Sequence, residues 1–256
     1  IRIEDDGTGM ERDDLLLAFE RHSTSKLTDF TDLDHLDTLG FRGEALPSIA
    51  GVSDFEITSR PHDQLAATRV KLRAGTIREV SEIGAPPGTT VQVRRLFYNT
   101  PARRKFLKTK RTEQAHISEE IISHSLAYPA VSFFYRQDGE SVLEAPAADS
   151  LRWRLGDIWG NESCRDLIDC SGKGEGFKVR GLISPPGRFK TSRKGLLVFV
   201  NRRPVSNRMI YSAVLRGYGA RFSGRQYPVG VIFIDIEGIR VDVNIHPTKK
   251  EVKFGR

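Results

Sequence analysis

The chain has 256 residues, of which 38% are hydrophobic and 29% charged, and its formal net charge is +7. This length and composition are typical of a globular chain with room for two domains. No apolar run approaches the roughly 18 residues of a membrane span, which disfavours a membrane protein. Cys164 and Cys170 form neither a CxxC pair nor a zinc quartet, as expected in a reducing compartment. We therefore expect a cytoplasmic or nucleoid-associated protein.

The charge is unevenly distributed along the chain. Residues 1–60 carry fourteen acidic against six basic side chains. Two acid-free segments, 94–111 and 178–225, carry eight and twelve basic side chains. Such blocks indicate a polyanionic partner, although a solvated basic face without a ligand gives the same pattern. Aromatic residues near the second block, among them Tyr211 and Tyr227, would either stack on exposed bases or pack in the core, and core packing is the more common role.

The first predicted elements surround a glycine turn. Residues 1–3 are typical of the end of a strand, and we expect further sequence upstream of them. Residues 11–21 predict a helix with acidic side chains in its first turn, where the helix dipole favours them. Further predicted elements in this half are a long loop at 22–40 and antiparallel strands at 55–57 and 91–93.

The clearest helix of the sequence lies at 113–128, where apolar residues recur on one side and Pro129 follows the end. The small, proline-containing segment 145–149 predicts a linker, and we place a boundary near 148, between domains of 1–148 and 149–256. The remaining predicted elements are strands at 131–135, 177–183 and 196–201, a helix at 207–216 and a hairpin of 229–236 with 240–245. Strands and helices without regular βαβ alternation indicate an α+β chain of two sandwiches in sequence.

Residues 5–10 (DDGTGM) form the first candidate site. An adenine ring presents an exocyclic amine, and a carboxylate at a strand end, here Asp5, can accept a hydrogen bond from it. Gly7 and Gly9 allow the backbone to bend closely against the base and the ribose. The same pattern also suits any tight acidic turn, so by itself it is a weak signal for a nucleotide.

Residues 40–46 (GFRGEAL) form the second candidate site, a glycine-hinged lid. Two glycines flank Phe41 and Arg42, and backbone amides in such a loop can hold an anion. Lys26 supplies a cation in the preceding loop. His22 is interpretable as a general base or as a structural hydrogen-bonding histidine, of which the structural role is the more common. No GxxxxGK[ST] sequence occurs, which disfavours a P-loop enzyme.

Two later segments carry hydroxyl and lysine side chains that suit a nucleotide. Gly88-Thr89-Thr90 precedes a strand, and its hydroxyls can reach a phosphate or a ribose. Residues 244–252 (NIHPTKKEV) contain Lys249 and Lys250, one of which can reach across the domain interface to a terminal phosphate and couple nucleotide state to domain angle.

Together these strings resemble the MutL family of DNA mismatch-repair ATPases, which belongs to the GHKL class. DDGTGM resembles the second ATPase motif of that family, RHSTSK followed by GFRGEALPSIA the third, and GTTVQVRRLFYNTPARRKFL the fourth. FVNRRPV and NIHPTKKEVKF resemble its second domain. The likeness runs along essentially the whole chain, and GFRGEAL and LFYNTPARRKFL are highly specific strings.

The resemblance implies a GHKL-type α/β sandwich followed by a smaller domain of the ribosomal-protein βαβ type, with ATP and Mg²⁺ as cofactors. Asp5 would bind adenine, Gly7 and Gly9 would form the nucleotide turn, and Lys249 would contact the γ-phosphate. The other implied nucleotide contacts are Lys26, Gly40, Phe41, Arg42, Gly43, Glu44, Ala45, Leu46 and Thr89. The implied contacts to the DNA backbone are Arg188, Lys190, Arg193, Lys194, Arg202, Arg203, Arg208 and Arg216.

The resemblance further implies a clamp that forms a homodimer on ATP binding and links a MutS-type mismatch sensor to a downstream nuclease or helicase. Two features depart from the family pattern. Asp6 stands where the family usually has asparagine. The first ATPase motif, which carries the water-activating glutamate and the Mg²⁺-binding asparagine, would lie before residue 1. We therefore expect that this stretch alone does not hydrolyse ATP.

Two other interpretations remain open at this point. The chain could be a DNA-binding scaffold that has lost ATPase function and uses nucleotide only structurally. It could also be a topoisomerase ATPase module of the GHKL class, which the lid string disfavours. The upstream glutamate and asparagine would discriminate the first of these from an active ATPase.

Overall fold

The computed structural model describes residues 1–20, 44–219 and 226–236, together with the backbone of 241–242 and 253–254. Contacts divide the chain into two compact units, Ile1–Lys108 and Thr109–Arg256. This division comes earlier than the boundary that we predicted at 148, because the segment after Lys108 shares a core with the second sheet. As a boundary between functional domains, 148 stays a prediction.

The first unit is built on one antiparallel sheet of five strands in the order β1-β5-β2-β3-β4. The strands are β1 Arg2–Asp5, β2 Asp54–Arg60, β3 Ala67–Arg73, β4 Thr76–Ile83 and β5 Gly88–Arg94. The helices of this unit are α1 Arg12–Leu17, α2 Ala45–Ala50 and α3 Pro101–Arg104. The strand predicted at 91–93 is therefore the centre of β5, and it lies between β1 and β2.

The two faces of the first sheet differ in polarity. Leu15 of α1 and Ala50 of α2 pack with Phe55 and Ile57 of β2 in a buried cluster. The opposite face carries charged pairs, since alternate residues of a strand point to opposite faces. The described helices α1 and α2 thus pack on the apolar face of this sheet.

The second unit, described by itself, has a five-stranded mixed sheet in the order β12-β11-β14-β9-β8. Its strands are β6 Phe133–Gln137, β7 Glu140–Ala145, β8 Ile168–Gly174, β9 Phe177–Ile183, β10 Phe189–Lys190, β11 Leu196–Val200, β12 Arg203–Val205, β13 Tyr227–Pro228, β14 Gly230–Ile236, β15 Val241–Asp242 and β16 Lys253–Phe254. Its helices are α4 Lys110–Ala127, α5 Leu151–Trp159, α6 Asn161–Cys164 and α7 Arg208–Tyr218.

Helices cover both faces of the second sheet. On one face Leu126 of α4 and Leu155 of α5 pack against Phe199 and Phe233, whose rings stack with centroids 4.8 Å apart. On the other face Ile210 of α7 joins a second cluster of strand residues. The parallel strands β11 and β14 are connected through α7, which gives the βαβ unit expected of the second domain.

Two predicted helices have different bounds in the structure. The helix predicted at 113–128 begins earlier, at Lys110, because the side chain of Thr109 accepts a hydrogen bond from the Thr112 N–H and caps it. The helix predicted at 11–21 is shorter, since α1 ends at Leu17. The long helix α4 thus belongs wholly to the second unit.

The predicted C-terminal hairpin is wrong. β14 pairs along its length with β9 on one side and β11 on the other, so neither edge is free for residues 240–245. Val241 and Asp242 pair instead with Lys253 and Phe254 in a separate two-stranded ladder. The alternation of residues 241–245 predicted a strand, of which the structure describes Val241 and Asp242. The alternation could not identify the neighbouring strand, since every strand with one buried face shows that period.

Candidate functional site

The acidic turn follows β1 at the edge of the first sheet. Asp5, the last residue of β1, lies opposite Thr89 of β5, which lies opposite Ser59 of β2. Residues opposite each other on adjacent strands point to the same face of a sheet. The structure thus brings Asp5 and Thr89, two predicted nucleotide contacts, to one face at one end of the sheet.

The turn itself orients the Asp5 carboxylate. Its Oδ1 accepts a hydrogen bond from the backbone N–H of Gly7 at 3.0 Å. A Cβ atom at position 7 would lie 2.9 Å from this oxygen, so glycine leaves room for the contact. The side chain of Asp5 is exposed, and within the described part of the chain its Oδ2 has no hydrogen-bond partner. An oriented and accessible carboxylate oxygen is what recognition of an adenine amine requires.

Two glycines allow the turn to lie against the neighbouring strands. Gly9 has φ +72°, and a Cβ atom there would overlap the carbonyl oxygen of Arg60. Gly88 has φ +109°, and a Cβ atom there would overlap the carbonyl oxygen of Asp5. Positive φ and close backbone approach both select glycine. Gly9 was predicted as part of the turn, whereas Gly88 was not singled out for this reason.

Ser59 also lies at this end of the sheet, and it was not predicted from the sequence. It is 1% exposed, and its Oγ accepts a hydrogen bond from the Met10 N–H at 2.9 Å. The same hydroxyl donates to the Gly88 carbonyl at 3.3 Å and lies 2.9 Å from Thr89 Oγ1. The sequence does contain a signal for it. Position 59 is the next in the alternation that places the apolar Phe55 and Ile57 on one face, and it carries a hydroxyl. A buried polar group at a core position needs partners, and here they are the turn and β5.

Only the end of the predicted lid lies within the described residues. Glu44 precedes α2, and Ala45 and Leu46 begin it. Leu46 is half-buried against the core cluster of the first sheet, while Glu44 and Ala45 are exposed. The remaining predicted nucleotide contacts, Lys26, Gly40, Phe41, Arg42, Gly43 and Lys249, lie outside the described residues. His22 lies outside them as well.

The eight cations predicted to bind DNA have different surroundings in the second unit. Arg188 is a structural residue, because its guanidinium pairs with Asp166 and donates to the Ser163 carbonyl at 2.6 Å. Lys194 is largely exposed, with its Nζ 3.8 Å from Glu119 Oε1. Exposed positions are also occupied by Lys190, Arg193, Arg202, Arg208 and Arg216, whereas Arg203 is half-buried.

Two of these arginines place their guanidinium groups over aromatic rings. The Cζ atom of Arg202 lies 5.5 Å from the ring centroid of Tyr128. That of Arg193 lies 5.5 Å from the Tyr227 ring and 6.0 Å from the Tyr211 ring. Tyr211 donates its hydroxyl to the Leu196 carbonyl at 3.1 Å, and burial raises its pKa. The aromatic side chain of Tyr211 therefore packs within the unit, as the more common interpretation of the sequence expected.

Two features are absent from the ranges that the structure describes. In those ranges no group of three or more His, Cys, Asp or Glu side chains is arranged to hold a metal ion. None of the helices described above combines the length and apolar character required to cross a bilayer.

Comparison with known sequences points to mismatch repair. The family model of the DNA mismatch repair protein, C-terminal domain, matches residues 155–256. The chain is 45% identical over 254 residues to DNA mismatch repair protein MutL of Anaeromyxobacter dehalogenans, covering 99% of this chain and 42% of that protein. It is 41% identical over 254 residues to MutL of Opitutus terrae, covering 99% of this chain and 40% of that protein. The chain thus spans less than half the length of these relatives.

Comparison with solved structures agrees in fold. The ATPase domain of Aquifex aeolicus MutL complexed with ADP superposes with a TM-score of 0.68 at 26% identity, covering 92% of this chain and 79% of that one. The N-terminal domain of a DNA repair protein superposes with a TM-score of 0.79 at 22% identity, covering 99% of this chain and 79% of that one. The fold is therefore the α+β arrangement of GHKL-type MutL ATPase domains. Along almost its whole length, the chain is thus similar in sequence to MutL proteins of DNA mismatch repair and in fold to MutL ATPase domains.

Proposed function

We propose that this chain is the nucleotide-binding and DNA-binding part of an ATP-dependent mismatch-repair clamp. The observation that carries the proposal is the oriented, accessible carboxylate of Asp5, placed beside Thr89 at one end of the first sheet. The ADP complex of the related Aquifex ATPase domain supports nucleotide binding by this fold.

In the proposed complex the adenine amine donates a hydrogen bond to Asp5, and Gly7 and Gly9 allow the base to approach the backbone. Thr89 contacts the phosphate or the ribose. The phosphates lie under the lid, which comprises residues 40–46 with Lys26 in the loop before it, and Lys249 contacts the γ-phosphate. ATP is the proposed cofactor because the family resemblance and the oriented carboxylate both suit adenine.

Hydrolysis requires groups that we place outside this chain. A water-activating base and a metal ion are needed to cleave the terminal phosphate. The described residues offer no cluster of ligands for Mg²⁺, so we derive no step through the metal. The proposed base and the asparagine that would bind Mg²⁺ lie before residue 1, and this chain by itself is expected to bind ATP without turning it over.

DNA binding is proposed for the second unit, through the phosphate backbone and without sequence readout. The support is the acid-free segment 178–225 and the exposed cations of α7, Arg208 and Arg216. Contacts of this kind bind any sequence and weaken steeply as salt concentration rises. Arg188 is not part of this surface because Asp166 already neutralises it.

The proposed partners follow from the family. ATP binding would bring two copies of the protein together, and the resulting clamp would connect a MutS-type mismatch sensor with a downstream nuclease or helicase. The proposed location is the cytoplasm and the nucleoid. The alternative is a DNA-binding scaffold that holds nucleotide only structurally, and the exposed cations of the second unit suit both.

The test of nucleotide binding compares two neighbouring carboxylates. Replacing Asp5→Asn removes the acceptor charge, and we expect ADP affinity to fall about 10- to 100-fold, the cost of a charge-assisted hydrogen bond. Replacing Asp6→Asn removes the same charge one residue away and is expected to leave the affinity nearly unchanged. Isothermal titration with ADP measures both, and equal loss in the two variants would contradict the assignment of Asp5.

A further inference from the structure

A histidine outside the predicted motifs contacts the acidic turn. The Nε2 atom of His62 lies 3.2 Å from the backbone carbonyl oxygen of Gly7. Since a carbonyl only accepts, the ring must carry its proton on Nε2 and donate it to Gly7. The two residues are 55 positions apart in the sequence, so nothing in the local pattern of the turn indicated this bond.

The loop that carries His62 is itself held in place. It connects β2 to β3, and the Arg60 guanidinium at its start donates to the Gln64 carbonyl at 2.7 Å. The Gln64 N–H donates to the Pro61 carbonyl at 3.3 Å, and Pro61 is buried. These contacts fix the loop on both sides of His62. The backbone of the loop therefore holds the imidazole ring next to Gly7.

The contact of His62 leads directly to the adenine-binding carboxylate. His62 holds the carbonyl of Gly7, and the N–H of Gly7 holds Oδ1 of Asp5 at 3.0 Å. Both groups of Gly7 are thus engaged, and its backbone cannot rotate without breaking one of the two bonds. The orientation of the free Oδ2 of Asp5 follows from these two bonds together.

The rest of the turn is fixed by β2 as well. Ser59 accepts the Met10 N–H, and Gly9 lies against the Arg60 carbonyl. The turn is thus contacted by Ser59 and Arg60 of β2 and, through His62, by the loop that follows β2. Without His62, these contacts would fix the C-terminal end of the turn, and among the described residues Asp5 alone would hydrogen-bond Gly7.

We propose that His62 is a positioning residue of the nucleotide site, which holds the Gly7 peptide so that Asp5 faces the adenine amine. This role rests on the proposed binding of ATP at the turn. His62 acts through Gly7 and Asp5 and does not contact the nucleotide. Its effect is therefore on adenine recognition, which distinguishes it from a residue that only stabilises the fold.

The experiment compares ADP and GDP binding to the wild-type chain and to His62→Leu. Loss of one hydrogen bond in an exposed setting should weaken ADP binding about three- to tenfold. Guanine presents a carbonyl where adenine presents the amine, so GDP gains nothing from an oriented Asp5 and its weak binding should not change. The ratio of ADP to GDP affinity should thus fall with the affinity for ADP.

Two further variants separate positioning from structure. His62→Gln keeps an N–H donor at the reach of Nε2 and should restore most of the ADP affinity. His116→Leu removes an exposed histidine on α4, in the other unit, and should leave ADP binding unchanged. Unfolding midpoints measured on the same samples check that each variant is folded.

The outcomes distinguish the two proposals. ADP affinity that is equal in wild type and His62→Leu would overturn the role of His62 while leaving nucleotide binding at Asp5 intact. An equal loss for ADP and GDP would also overturn it, since that result indicates general disruption. A wild-type chain that binds no ADP would overturn the proposed function, and the role of His62 with it.

Discussion

Glu79 lies on the polar face of the first sheet and is surrounded by donors. Its carboxylate accepts hydrogen bonds from Lys71 and Arg69, each at 2.9 Å, and from Ser81 at 3.1 Å. Lys71, followed by Ser81 and Arg69, lowers the pKa of Glu79 from 4.5 to about 2. The network joins β3 to β4 on the face opposite to the one on which α1 and α2 pack.

The lowered pKa predicts how stability depends on pH. A depressed carboxyl pKa contributes stability that is fully present above the unfolded value, near 4.5, and is lost as the pH falls toward about 2. Glu79→Gln should therefore lower the unfolding temperature at neutral pH, and its difference from wild type should shrink through this window. Thermal unfolding followed by circular dichroism at several pH values measures it.

Glu82→Gln on the same strand is the matched control. Glu82 is exposed and forms no ion pair with a described residue. Its replacement should change the unfolding temperature little at any pH. A deficit in Glu79→Gln that persists undiminished at the lowest pH would show that the network does not act through the charge of Glu79.

At the scale of elements, a buried arginine connects α5 to the β6–β7 hairpin. Arg154 is fully buried, and it donates to the carbonyls of Ala145, Pro129 and Val131 at 2.6–2.7 Å. Desolvation lowers its pKa from the ordinary value. One side chain thus donates to three carbonyls at both ends of the hairpin, of which that of Pro129 also accepts from the Ala148 N–H at 2.9 Å.

Removing this side chain should lower the free energy of unfolding of the second unit. Arg154→Met roughly keeps the volume but removes all three hydrogen bonds of this buried side chain, and we expect a loss of about 3 kcal/mol or more in the free energy of unfolding. Arg165→Met replaces an exposed arginine of the same unit and should cost much less. Urea denaturation measures both, and equal stability of the two variants would contradict the connecting role of Arg154.

The sequence predicted the elements that show a strong local pattern. The strand at 177–183 and the helices around 113–128 and 207–216 are present in the structure. Of the two helices, α7 has the clearer apolar face, whereas α4 buries only Ser125, Leu126 and Ala127 in its last turn. The strands β3 and β4 were not predicted, although Val70 and Leu72 alternate with Arg69 and Lys71 as in a strand with one buried face. These strands form a hairpin with cross-strand ion pairs from Arg69 and Lys71 to Glu79, and the period of a single strand does not indicate such pairs.

The part of the candidate site that forms a local string was predictable from the sequence, and the part contributed by distant residues was not. Asp5, Gly7 and Gly9 form a local string, and the structure places them with Thr89 at one end of the sheet. Ser59 and His62 belong to the same group of contacts, but they follow from the pairing of β2 with β5 and from the loop after β2. Such partners can be found only once the strand order is known.

At the scale of the whole molecule, the basic second unit predicts how DNA affinity depends on salt. Arg208→Glu combined with Arg216→Glu replaces two exposed cations of α7, and affinity for DNA of any sequence should fall. The slope of log affinity against log salt should decrease by about two units, one for each lost phosphate contact. Fluorescence anisotropy with a labelled duplex at several salt concentrations measures the slope.

Arg188→Met is the control for this measurement. Because Asp166 and the Ser163 carbonyl hold Arg188, its loss should lower stability and leave the salt slope unchanged. ADP affinity should be the same in all three proteins, since these cations lie in the second unit. A salt slope that responds to Arg188 and not to α7 would place the DNA surface elsewhere.

The position of β14 has a consequence for how the chain is synthesised. β8 pairs with β9 and β11 with β12 through short connections, but these two pairs meet only through β14, which follows them in the chain. Until residues 230–236 leave the ribosome, β9 and β11 each present an open edge with apolar side chains. Open apolar edges favour association with other chains. The nascent chain therefore exposes both edges to other chains until β14 emerges, and the second sheet closes only then.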